Sequence, residues 1–190
     1  MKKLLLAVIF VSASLLSRAQ TGSDDVLALQ YYQNGDYEKA LNLYEKLFNH
    51  GRNQLQYYDS YLNTLLKLKQ YDAATKLTKK MSSTYKGNFN FPIDQGRVLR
   101  EQGEQEKANE IYNGLIKNLP REDYVIRALS VSFYRAHAYD YSIKTLVAGR
   151  KLLNDETAFA FDLLALYRYQ KNKHMLIEEY VKLLGKEPNS

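Results

Sequence analysis

The chain has 190 residues, 45% of them hydrophobic, and 27 Lys and Arg against 21 Asp and Glu give a formal charge of +6. That balance excludes wholesale disorder and a multispan membrane protein, and the length fits one or two domains with a buried core. Cysteine is absent while tyrosine occurs 17 times, which excludes disulfides, thiolate metal sites, a cysteine nucleophile and a lipidated N-terminal cysteine.

Met1, Lys2 and Lys3 make a short positive start, Leu4 to Leu16 is an apolar run, and Ser17-Arg18-Ala19 ends it with small residues where a signal peptidase reads. Residues 1–19 therefore read as a secretory signal peptide cut before Gln20. The run of about 13 apolar residues is too short for a spanning helix, which needs roughly 20. Export to a periplasm or cell envelope follows, as a protein without a lipid anchor. Loss of Lys2, Lys3 and Arg18 leaves 24 basic against 21 acidic side chains, or +3, so the basic excess no longer points to nucleic acid.

Asp24 and Asp25 followed by Leu27, Ala28, Tyr31 and Tyr32 have the three-and-four spacing of a first helix. Asn34-Gly35 ends it, Asp36 can cap the next helix, and Tyr37, Ala40, Leu41, Tyr44, Leu47 and Phe48 mark that helix's buried face. The turn recurs as Gln102-Gly103-Glu104, and no stretch alternates with period two for long enough to form a strand. The predicted fold is all-α.

Several residue types share one period. Ala40, Ala74 and Ala108 are 34 apart, and the same step reaches Ser142 and Leu176. Tyr37, Tyr71 and Tyr139 lie three residues before members of that series, Tyr44, Tyr112 and Tyr180 four residues after others, and Pro120 and Pro188 are two steps apart. The pattern resembles the tetratricopeptide repeat, whose 34-residue unit pairs two helices. The first unit carries Leu27, Ala28, Tyr31, Gly35, Tyr37, Ala40 and Tyr44, and the third carries Gly96, Leu99, Gly103, Ala108, Tyr112 and Pro120. Leu62, Leu164 and Leu176 depart from the pattern where a small residue is usual. The resemblance implies a right-handed α-solenoid of five helix-turn-helix repeats over 21–54, 55–88, 89–122, 123–156 and 157–190. Ala28, Gly96 and Ser130 then sit where the two helices of a unit cross, and a small side chain there lets the backbones approach.

No catalytic constellation is legible: His50, His137 and His174 are dispersed, and there is no phosphate loop or nucleophile elbow. The expectation is no catalysis, no cofactor and no metal. The resemblance implies a concave face built from first helices, which makes Arg97, Arg100, Tyr124, Arg127, Tyr134, Arg135, Phe161 and Arg168 the candidate partner-binding residues. Arg and Tyr concentrate binding energy, because each combines broad contact area with directional donors. Asp25, Leu29, Asn90 and Asp94 do not reproduce the Lys and Asn clamp with which chaperone-binding members hold a terminal carboxylate. The lysines of the second unit, among them Lys76, Lys79 and Lys80, suggest only weak contact with an anionic membrane.

The implied function is a non-catalytic protein-interaction scaffold or adaptor in the cell envelope, with a protein or peptide partner. The alternative is the N-terminal recruiting module of a longer protein with a downstream catalytic or signalling domain. Leu176, Ile177, Tyr180, Val181, Leu183 and Leu184 exceed one buried stripe, so a further repeat, a second copy or a partner is expected to cover the last helix. For the leader, intact-mass analysis of the exported form should place its N-terminus at Gln20; a mass that retains residues 1–19 would contradict the signal peptide.

Overall fold

The structure is a computed structural model that describes residues 24–50 and 54–185; the signal peptide read over 1–19, and Pro188, lie outside them. Ten helices occur among the described residues. They are α1 over 24–33, α2 Tyr37–His50, α3 Gln54–Lys67, α4 Tyr71–Thr84, α5 Asn90–Glu101, α6 Gln105–Lys117, α7 Asp123–Arg135, α8 Tyr139–Leu153, α9 Ala160–Tyr169 and α10 Lys173–Leu184. The even-numbered helices begin at residues 37, 71, 105, 139 and 173, a constant step of 34. The chain divides into two units, Met1–Leu77 and Thr78–Ser190, with the boundary inside α4.

Each odd-numbered helix ends in the same backbone event. Gly35, Lys69, Gly103, His137 and Lys171, again 34 apart, have φ of 82°, 54°, 90°, 57° and 56°. The left-handed residue reverses the chain, so its own amide and the next one reach back to carbonyls that the helix end leaves unpaired. After α1, Asp36 N–H donates to the Tyr31 carbonyl at 2.9 Å and Gly35 N–H to Tyr32 at 3.2 Å. The same two bonds follow α3, α5, α7 and α9, as in Ala138 to Phe133 at 2.9 Å and His137 to Tyr134 at 3.0 Å. Three of the five positions are not glycine, and each of those holds a conformation costing roughly 1–2 kcal/mol for an L-residue.

In the first unit, Ala28 of α1, fully buried, belongs to one cluster with Ala40, Tyr44 and Leu47 of α2. Tyr57 and Tyr61 of α3 pack against it. Burial, then the Glu45 carboxylate, pushes the Tyr61 hydroxyl up to about 12. Lys46 Nζ reaches Asp24 at 2.8 Å and ties α2 to α1.

In the second unit, α5 pairs with α6, α7 with α8 and α9 with α10, and α5 with α7, α6 with α8 and α8 with α9 join successive pairs. The small residues sit at the tightest contacts. A Cβ on Gly96 would lie 2.6 Å from Cζ of Tyr112, whose hydroxyl donates to the Ile93 carbonyl at 3.2 Å. One repeat later, Ser130 and Ser142 meet with their Oγ atoms 2.8 Å apart, and Ser142 Oγ donates to the Ser130 carbonyl at 2.9 Å. A further close approach, at Gly149, leaves no room for a Cβ beside Ile126, 2.5 Å away, and Phe159, 2.8 Å away.

The segment before α9 is irregular. Asn154 and Phe159 both have φ of 57°, and α9 starts only at Ala160. Arg150 of α8 holds this segment: its Nε donates to the Ala158 carbonyl at 2.7 Å while its other two nitrogens grip both carboxylate oxygens of Glu179 on α10. The pair is nearly sealed from water, with side-chain exposures of 5% and 2%.

Two sets of substitutions test these features in denaturant midpoints at constant slope. Gly103→Ala should lower stability by about 1 kcal/mol and Lys171→Gly should raise it by about 0.5 kcal/mol, because only glycine adopts the left-handed state without steric cost. Equal effects at both sites would refute the shared turn. Arg150→Met should cost about 3–5 kcal/mol by stranding the Glu179 carboxylate, and adding Glu179→Leu should recover most of it; a double variant no better than the single one would show that the pair is not the cause.

Candidate functional site

All eight sequence-predicted site residues lie in the second unit, on its odd-numbered helices: Arg97 and Arg100 on α5, Tyr124, Arg127, Tyr134 and Arg135 on α7, and Phe161 and Arg168 on α9. The aromatic members face water. Phe161 is 81% exposed, Tyr124 67% and Tyr134 44%.

The five arginines are engaged within the fold. Arg97 Nε lies 3.4 Å from Glu101 one turn along α5. Arg127 pairs with Asp162 of α9, and its guanidinium carbon lies 5.2 Å from the centre of the Phe159 ring. Arg135 reaches back to Asp94 of α5 at 3.1 Å, and Arg168 donates to the Tyr180 hydroxyl at 3.5 Å. The Arg127 and Arg135 pairs therefore join neighbouring first helices. They differ in consequence. Exposed pairs are worth only about 0–1 kcal/mol, so Arg127 can exchange partners cheaply. The Asp94 side chain is 2% exposed, so releasing Arg135 would leave a charge without solvent. Arg100 and Arg168 make no ion pair with a carboxylate among the described residues; Arg168 meets the Tyr180 hydroxyl and Arg100 the Tyr112 hydroxyl.

Three tyrosines gather at the turn edge of α7, α8 and α9. The Tyr134 ring lies 5.3 Å from that of Tyr139 and 5.9 Å from that of Tyr169, and Tyr139 and Tyr169 are 4.8 Å apart. The Tyr139 hydroxyl sits between His137 Nδ1 at 2.7 Å and the Tyr169 hydroxyl at 3.1 Å. The bond to Tyr169, followed by desolvation, pushes the Tyr139 hydroxyl up to about 12. The cluster presents rings to water, with Tyr169 56% exposed. Sequence reasoning singled out Tyr134 but not its assembly with His137 and Tyr139. The available signal was the common step of 34, which puts His137 in the turn and Tyr139 at the start of α8.

Two clefts open beside this cluster. One, of about 350 Å³, is lined by Arg97, Arg100, Glu101, Gln105, Ala136 and His137. The other, of about 230 Å³, shares Arg100, Gln105 and His137 and continues along the first turn of α8 from Ala138 to Tyr141, with Gln170 beyond. Among the described residues no three of His, Cys, Asp or Glu come together as metal ligands, and no helix is long and apolar enough to cross a membrane. On α10, Ile177, Tyr180, Val181 and Leu184 form an exposed stripe.

A 34-residue step shared by helix starts, turns and small residues defines the class: the chain is a tetratricopeptide-like series of helix pairs. Among solved structures it is similar to a tetratricopeptide repeat protein from Parabacteroides merdae, 12% identical over 90% of this chain and 68% of that one, with a TM-score of 0.45. It is also similar to MamA from Desulfovibrio magneticus, 15% identical over 86% of this chain and 93% of that one, TM-score 0.44. A thermophilic tetratricopeptide repeat protein in Thermus thermophilus is 19% identical over 90% and 93% of the two chains, TM-score 0.40. No protein-family model matches the chain, and no curated protein matches it.

Proposed function

We propose that this protein is a non-catalytic interaction scaffold of the cell envelope, which binds a protein or peptide partner through the exposed side chains of α5, α7 and α9. The observation that carries this reading is the row of large aromatic side chains left in water on successive first helices: Tyr124 and Tyr134 on α7, then Phe161 and Tyr169 on α9. Rings of this size repay desolvation best when a partner covers them, and aromatic residues with Arg dominate interface energetics. The Arg127–Asp162 pair beside Phe161 adds charges that a partner can recruit at small cost.

A second reading, the recruiting module of a longer protein, draws its support from α10. Its exposed stripe of Ile177, Tyr180, Val181 and Leu184 has the spacing with which one helix pair receives the next.

The test of the first reading is capture from an envelope extract with immobilised protein. Tyr134→Ala with Phe161→Ala should reduce the captured partner about tenfold or more, since truncating an interface anchor costs roughly 1–2 kcal/mol or above. Helicity should not change, because both side chains are exposed. Undiminished capture by the double variant would refute binding through these faces.

A further inference from the structure

We propose that the two joined clefts at the turn edge of α5, α7 and α8 form a subsite for one acidic side chain of an extended peptide. Its carboxylate would sit on Arg100, and an adjoining aromatic or apolar residue on the Tyr134, Tyr139 and Tyr169 rings. The inference rests on the scaffold reading above and specifies the ligand of one part of that surface.

Arg100 is the arginine shared by both clefts, and it makes no ion pair with a carboxylate among the described residues. The two acids in the walls are otherwise occupied. Glu101 is bound by Arg97, and Asp140 accepts from the Gln170 amide at 2.9 Å. Most of the other polar groups are also spent on each other. Tyr141 donates to Asn109 Oδ1 at 2.7 Å, Gln105 donates to the same oxygen at 2.9 Å, and the Tyr139 hydroxyl lies between His137 and Tyr169. One Arg100 donor is taken by the Tyr112 hydroxyl; the guanidinium's remaining N–H donors are what the clefts still offer, and two of them fit a carboxylate in bidentate fashion.

Charge and size decide among anions. Arg100 is not ion-paired, neither lining holds a lysine, and Asp140 lies in one wall, so the clefts suit a monoanion better than a phosphate dianion. Volumes of about 230 and 350 Å³ lie at or below the lower end of small-molecule sites, roughly 300–1,000 Å³, and so suit side chains and not a cofactor. Tyr139 lines one cleft and its ring lies beside those of exposed Tyr134 and Tyr169, so a ligand with a neighbouring apolar residue covers more surface than a free carboxylic acid does. The position differs from a clamp for a terminal carboxylate, whose positions here hold Asp25, Leu29, Asn90 and Asp94.

The experiment is an NMR titration of the full chain, nitrogen-15 labelled, with the capped peptide acetyl-Ser-Tyr-Glu-Tyr-Ser-amide and its counterpart carrying Gln in place of Glu. The acidic peptide should bind about tenfold more tightly, as expected for a hydrogen bond to a charged group. Its shifts should centre on His137, Tyr139 and Gln170. Arg100→Gln should abolish the preference without weakening the neutral peptide, whereas Arg97→Gln should retain it. Equal affinity for the two peptides, a preference that survives Arg100→Gln, or no binding of either would overturn the acid subsite. Equal affinity with shifts at the tyrosines would leave the scaffold reading intact, while capture insensitive to Tyr134→Ala with Phe161→Ala would refute that reading separately.

Discussion

One left-handed residue after each odd-numbered helix is the constraint on which the rest of the structure depends. With φ between 54° and 90° at residues 35, 69, 103, 137 and 171, each first helix ends with its last carbonyls paired, and the next helix starts two residues later. Such a short reversal brings the second helix back along the first. Side-chain size at the crossing then sets how closely they lie: glycine at 96 admits the Tyr112 ring, and serines at 130 and 142 exchange hydrogen bonds where alanines at 28 and 40 pack as hydrocarbon. Different chemistries serve one geometry because what that geometry requires is small volume, not a particular group.

The same constraint organises the functional surface. His137 occupies the left-handed position between α7 and α8, which places its ring against Tyr139 and within both clefts. The third ring of the cluster, Tyr169, comes from α9, and α9 is positioned by the segment that Arg150 holds at Ala158 and by the Glu179 carboxylate on α10. A buried ion pair between α8 and α10 thereby supports the helix that carries part of an exposed aromatic surface. The salt links Arg127 to Asp162 and Arg135 to Asp94 serve the first helices in a similar way, one weakly in water and one around a buried acid.

Much of this fold was legible in the sequence, because the repeat is a property of side-chain size and spacing. The alanine series, the tyrosines before and after it, and the turns at Gly35 and Gly103 all mark it. Lys69, His137 and Lys171 gave no such mark, since a residue other than glycine in a left-handed turn carries no signal in its side chain. Arg150 and Glu179 were hidden for another reason. The pair spans 29 residues, Glu178 beside it has the same charge, and helical spacing does not reveal which carboxylate faces inward. The candidate arginines show the same limit: periodicity placed them on first helices, while their engagement by Glu101, Asp162, Asp94 and Tyr180 depends on contacts between elements.

The central claim is that partners bind at the first helices of the second unit and their turn edge. The most direct measurement is amide hydrogen exchange of the full chain with and without its captured partner. Protection is expected across 97–103, 134–141 and 161–171, which span the exposed aromatic row and the Arg100 clefts. Protection confined to α6 and α10, with these segments unchanged, would contradict it.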